Sequence, residues 1–201
     1  MIAVITGDII NSRSLPSTWL QTLKDVLTNL PSPAKWELFR GDSFQVELAV
    51  EDALLNAFYI KASLKTIKNG DVRMSIGIGK KAKNNAEKLT EASGEAYINS
   101  GEAFDTLSVA KTNLLVKSPN AEFDDDINLY LKLALIAMDD WTPKAAEAVK
   151  LSIENDNEKQ EKIAQISGKS QSSISEALKR AHFSEILELE KKYRQMVIEN
   201  F

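Results

Sequence analysis

Trp36-Glu37-Leu38-Phe39-Arg40-Gly41-Asp42-Ser43-Phe44-Gln45-Val46-Glu47-Leu48 reads as two strands joined by a tight turn. Phe44, Val46 and Leu48 alternate with Gln45 and Glu47, so one face of the second strand turns inward. The strands are predicted over residues 35–39 and 43–50, with Arg40-Gly41-Asp42 between them. Upstream, Ile2-Ala3-Val4-Ile5 opens a buried strand over residues 1–7 that runs into a second Asp-bearing turn, Gly7-Asp8-Ile9-Ile10. A loop over residues 11–16 follows, then a helix capped by Ser17 or Thr18 and reaching about Leu30. Trp19, Leu20, Leu23, Val26, Leu27 and Leu30 form its apolar stripe, and Pro31 and Pro33 end it.

Downstream, residues 51–68 read as a second helix, with a stripe of Leu54, Ala57, Phe58 and Leu64 and with Lys61 along its edge. Asn69-Gly70-Asp71 closes it and a fourth strand covers residues 72–78. A polar stretch over residues 82–88 leads into a helix through about Phe104, and residues 112–117 form a fifth strand. The order strand–helix–strand–strand–helix–strand predicts an α+β fold with a ferredoxin-like βαββαβ core. In that core the first and third strands are antiparallel neighbours, which brings Asp8 and Asp42 to one edge. Facing carboxylates repel, so water, a proton or a divalent cation must settle them. A plainer reading also suits each Gly-Asp step, in which the Asp only closes a turn through backbone N–H groups.

Near residue 120 the character changes. The chain divides into residues 1–120 and an all-helical part over 121–201, with helices expected over 127–138, 144–153, 158–166, 171–180 and 184–198. Thr142 caps the second of these, with Pro143 at its first position. Gln160 to Ala181 has the pattern of a bacterial helix-turn-helix: small Ala164, Gly168 four residues later for a left-handed turn, and Ile163, Ile174 and Leu178 to bury the two helices. Gln171, Ser172, Ser173, Ser175 and Lys179 are then expected to stand exposed for base and phosphate contacts, with Lys169 and Arg180 reaching the DNA backbone. From Lys144 to His182 the segment carries seven Lys/Arg and six Asp/Glu, so protein contact is the competing role. The terminal helix mixes charges with Ile186, Leu187, Leu189 and Val197, as a surface helix or a dimer contact would.

Composition removes several classes. With no cysteine there is no disulfide, thiolate site or cysteine nucleophile. His182 is the only histidine, which argues against His-rich metal sites and serine–histidine catalysis; it reads as a helix-end residue. The net charge of −4 leaves DNA contact to a local patch. No window approaches the roughly 20 apolar residues of a membrane span, and Met1 leads straight into the first strand, so a cytoplasmic location is expected.

Asp8-Ile9 and Gly41-Asp42-Ser43-Phe44 resemble the class III nucleotidyl cyclase and GGDEF catalytic domains, and Arg73-Met74-Ser75-Ile76-Gly77-Ile78-Gly79 resembles the strand that follows in cyclases. The resemblance covers residues 1 to about 117. It implies that Asp8, the Ile9 carbonyl and Asp42 hold Mg²⁺ or Mn²⁺ on a nucleoside triphosphate, with Arg40, Gly41, Ser43, Lys80 and Lys81 at the phosphates. Asn99 stands loosely where cyclases place an Asn, and the Arg expected after it is missing. Because those cyclases build their sites between subunits, it also implies a homodimer. Arg40 and Arg73 suit solvated strand ends equally well, and Lys80, Lys81 and Lys83 suit a solvated loop. End to end, the chain resembles the SatD family of small bacterial proteins, through Val4-Ile5-Thr6-Gly7-Asp8-Ile9-Ile10-Asn11-Ser12-Arg13, Phe39-Arg40-Gly41-Asp42-Ser43-Phe44-Gln45 and Ala92-Ser93-Gly94-Glu95-Ala96. Two functions are therefore expected: a cytoplasmic regulator that couples a nucleotide- and metal-binding half to a DNA-binding helix-turn-helix, or a metal-dependent nucleotidyl transferase or cyclase whose helices bind a partner.

Overall fold

A computed structural model describes residues 1–82 and 88–201, with only the backbone at Thr90. The elements run β1 (Ile2–Ile9), α1 (Trp19–Thr28), β2 (Ala34–Phe39), β3 (Ser43–Leu48), α2 (Ala53–Lys65), β4 (Val72–Gly79), α3 (Glu95–Ala110), β5 (Leu114–Lys117), α4 (Ala121–Met138), α5 (Pro143–Glu154), α6 (Gln160–Ser167), α7 (Gln171–Arg180) and α8 (Phe183–Asn200). The sheet order is β2-β3-β1-β4-β5. The first four strands are antiparallel in the βαββαβ arrangement, and β5 adds parallel to β4, which makes the sheet mixed. Among the described residues no helix is long and apolar enough to cross a membrane.

The hairpin turn places Arg40 at φ 52° and Gly41 at φ 90°. Two consecutive positive φ values match the right-handed twist of the flanking strands. Thr142 caps α5 by accepting the Ala145 N–H, with Pro143 at the first helical position. α4 starts six residues before the expected Ile127, because Asn120 caps it by accepting the N–H groups of Glu122 and Phe123. α3 begins only after Gly94, whose φ of 137° no other residue adopts without strain.

The largest departure from expectation concerns α2. It is buried on nearly every side rather than along one stripe, and Lys61 is 1% exposed instead of lying along an edge. The reason is a second layer: the sheet and α1 cover one side of α2, and α5 covers the other. Tyr59 on α2 donates to Glu154 of α5 at 2.7 Å. α8 also departs from a plain surface helix. Phe183, Ile186, Tyr193, Met196 and Val197 are buried, and the Tyr193 hydroxyl donates to the Val50 carbonyl at 2.7 Å. One hydrophobic cluster therefore runs continuously across residue 120.

Candidate functional site

β1 sets the site. Thr6 bonds Ser100 of α3 at 3.0 Å, so the even-numbered β1 residues, Asp8 among them, face the α3 side of the sheet. Register places Asp8 opposite Ser43 on β3 and opposite Arg73 on β4. Asp42 follows at the hairpin tip, where its carbonyl accepts the Ile9 N–H at 3.1 Å. The two Asp-bearing segments thus meet at one sheet edge, as the connectivity predicts. Gly41 and Arg40 are exposed in the turn, and Asp42 and Ser43 are half-buried.

Each carboxylate has a neutralising or donating partner that the sequence reading did not assign. Arg73 forks Asp8, with Nε to Oδ1 at 2.6 Å and Nη2 to Oδ2 at 2.7 Å. Ser12 Oγ donates to Asp42 Oδ2 at 2.7 Å. The Asp8 hydrogen bonds, together with the Asp8 and Asp42 charges, hold the Arg73 guanidinium above its ordinary pKa against a smaller cost of burial. Its carbon lies 5.8 Å from the centroid of the Phe104 ring on α3, within cation–π range. The signal for Arg73 lay in the connectivity: an antiparallel β1–β4 pair puts the start of β4 beside the end of β1.

Asp8 is already paired in this arrangement. Both Asp8 oxygens accept from the Arg73 guanidinium, and among the described residues no group of three or more Asp, Glu, His or Cys side chains is placed to hold a metal ion. For Asp8, with the Ile9 carbonyl and Asp42, to hold Mg²⁺ or Mn²⁺, the cation would have to displace Arg73 from Asp8. Arg73→Ala is expected to make the melting temperature rise with millimolar Mn²⁺, by about 2–4 °C for each kcal/mol of binding. The wild type should not shift, and a wild-type shift would mean that Arg73 yields to the ion.

Lys80, Lys81 and Asn99 are not beside the Asp pair, contrary to expectation. Gly79 pairs with Ile2, six residues back along β1 from Asp8. At about 3.3 Å per residue that is roughly 20 Å away. Lys81 instead pairs with Glu47 at 2.6 Å, and Tyr97 donates to the same carboxylate. Burial raises the Glu47 pKa, but the Lys81 and Tyr97 bonds outweigh it and the net effect is a lowering. Asn99, buried, donates to the Ile78 carbonyl at 2.8 Å and so clamps α3 onto β4. Lys83 lies outside the described residues.

A second constellation sits on α6 and α7. Gly168 ends α6 at φ 66°, and Ser170 caps α7 by accepting the Ser173 N–H at 3.2 Å. Ile163, Ala164, Ile174 and Leu178 are buried as the spacing predicts. Trp141 Nε1 donates to the Ala181 carbonyl at 2.9 Å and pins the end of α7. Gln171, Ser172, Ser173, Lys179 and Arg180 are exposed. Two expected contacts stand elsewhere. Ser175 is half-buried and lines a cleft with Leu178 and Phe183 rather than the outer face. Lys169 is tied to Glu147 of α5, which neutralises it.

No family model and no curated protein matches the chain. Among solved structures, the active GGEEF domain of a diguanylate cyclase from Vibrio cholerae is similar, with a TM-score of 0.42 and 15% identity over 59% of this chain and 83% of that one. The βαββαβ assignment rests on the strand registers of this chain.

Proposed function

We propose that the protein is a DNA-binding regulator in which α6 and α7 form a helix-turn-helix and α7 is the recognition helix. The observation that carries this reading is the outer face of α7. Gln171, Ser172 and Ser173 stand exposed at its N-terminal turn, and Lys179 and Arg180 at its last, while Ile174 and Leu178 anchor the opposite side. Short polar side chains on a rigidly held helix suit base edges, and the two cations suit phosphates. Arg180 is paired with Glu176 within the helix, so its phosphate contact must compete with that carboxylate.

The Asp8–Arg73 edge is, on this reading, the sensing site for a phosphate-bearing ligand such as a nucleoside triphosphate. Arg73 Nη1 is not engaged by Asp8, and exposed Arg40 stands in the adjacent turn. The test is fluorescence anisotropy on DNA selected from a random pool. Binding should weaken with salt at a log–log slope of about −2 to −3, the value for two or three neutralised phosphates. Lys179→Ala with Arg180→Ala should reduce that slope by about 2, and Gln171→Ala should flatten sequence preference. Failure to enrich any sequence would remove the reading.

The convergence of Asp8 and Asp42 favours a second reading, a metal-dependent nucleotidyl transferase or cyclase. Turnover of ATP or GTP that vanishes in Asp42→Ala would establish it over the sensor.

A further inference from the structure

α4 is apolar on two sides. Phe123, Ile127, Leu131, Leu135 and Met138 face the core, and Leu129, Leu133 and Ile136 form a second stripe at 55%, 59% and 71% exposure. These positions follow i, i+4, i+7 spacing, so they lie along one line of the helix surface. A helix apolar on both sides normally has a cover on both. Here the second stripe borders a groove of about 870 Å³ between α4 and α8, floored by Ala134, Ile186 and Leu189.

We propose that a second copy of this chain occupies the groove, so that the protein is a two-fold homodimer joined through α4 and α8. The groove's rim decides the occupant. The carboxylates of Asp140, Glu185 and Glu188 stand there with the cations of Arg180 and Lys192. A rim of one sign would suit a nucleic acid or a uniformly charged peptide. A rim with both signs in similar number is complementary to itself, because a two-fold axis brings each residue against a different one on the partner copy. Glu188 and Lys192 lie one turn apart on α8, so two α8 helices crossing antiparallel place each lysine near the other copy's glutamate. The exposed leucine and isoleucine stripe of each copy then fills the groove of the other, which removes from water the longest run of exposed apolar side chains among the described residues. Since Arg180 borders the groove and Trp141 ties α7 to the end of α4, the dimer holds two α7 helices at a fixed separation.

Light scattering coupled to gel filtration tests this without DNA or nucleotide, so its outcome is independent of the proposed functions. The wild type should run at twice the 22.3 kDa chain mass. Leu133→Glu with Ile136→Glu should run as a monomer with an unchanged circular dichroism spectrum, since both side chains are exposed. Lys192→Glu alone should weaken the dimer at least tenfold, and mixing Lys192→Glu with a Glu185→Lys, Glu188→Lys chain should restore a mixed dimer. A monomeric wild type throughout the micromolar range overturns the proposal, whether or not it then binds a peptide or vesicles. So does a dimer that survives both Leu133→Glu with Ile136→Glu and Lys192→Glu.

Discussion

Lys61→Met is expected to lower the unfolding free energy by about 2–3 kcal/mol, measured by urea denaturation at neutral pH. Lys61 is 1% exposed and reaches Asp71 at 2.8 Å and Asp139 at 2.6 Å. Methionine keeps most of the apolar stem, so the change isolates the loss of charge. What remains is Asp71 paired with Lys65 at 3.3 Å, and an Asp139 carboxylate that keeps Asn113, since Lys65 reaches only the Asp139 backbone carbonyl, at 2.6 Å. Removing the buried partner of an ion group costs more than the group contributes as a whole where the remaining charge stays desolvated, which here applies to Asp71, 18% exposed, more than to Asp139, 38% exposed and partly screened by solvent. Lys61→Met with Asp139→Asn should therefore recover part of the loss. The cluster also sits between the two halves of the chain. Asp71 accepts the Ile10 N–H through its carbonyl at 3.0 Å, just beyond the Asp8 edge, and Asp139 caps the end of α4 and accepts from Asn113 at 3.1 Å. A loss below about 1 kcal/mol would mean that water already compensates these groups.

Gly77→Ala is expected to cost about 3 kcal/mol or more, the upper range for overpacking. A Cβ at Gly77 would overlap the Ala96 carbonyl oxygen and the Ser100 nitrogen and lie 2.7 Å from Ser100 Cα. All three are backbone atoms of α3, so no flexible side chain can swing aside. α3 would have to ride outward from β4. That movement would also strain the buried bonds of Ser100, which meets Thr6 at 3.0 Å and accepts through its carbonyl from Ser75 at 2.7 Å. Gly101 supplies the internal control. It lies in the same helix with nothing within 4 Å of a built Cβ, so Gly101→Ala should be neutral or stabilise by up to about 1 kcal/mol. An unchanged stability in Gly77→Ala would show that α3 can ride off β4 without cost, and the close approach would then carry no penalty.

Much of the plan was legible in one dimension. Alternating Phe44, Val46 and Leu48 marked β3, Thr142-Pro143 marked the start of α5, and Gly168 between Ile163 and Ile174 marked the turn between α6 and α7. Strand order alone brought Asp8 and Asp42 to one edge, because an antiparallel β1–β3 pair permits nothing else. These features depend on residues a few positions apart or on connectivity, and both are written in the sequence. The partners of those residues were not. That Arg73 forks Asp8, that Lys81 and Asn99 serve the far end of the sheet, and that Lys61 is enclosed are consequences of registers and of a second helical layer. Periodicity tells which side of a helix is apolar but not how many sides are covered. α2 and α4 read alike as apolar helices, yet α5 closes the outer side of α2, while the second stripe of α4 is left to the surface, because only the packing of distant segments decides where each side chain's remaining neighbours come from.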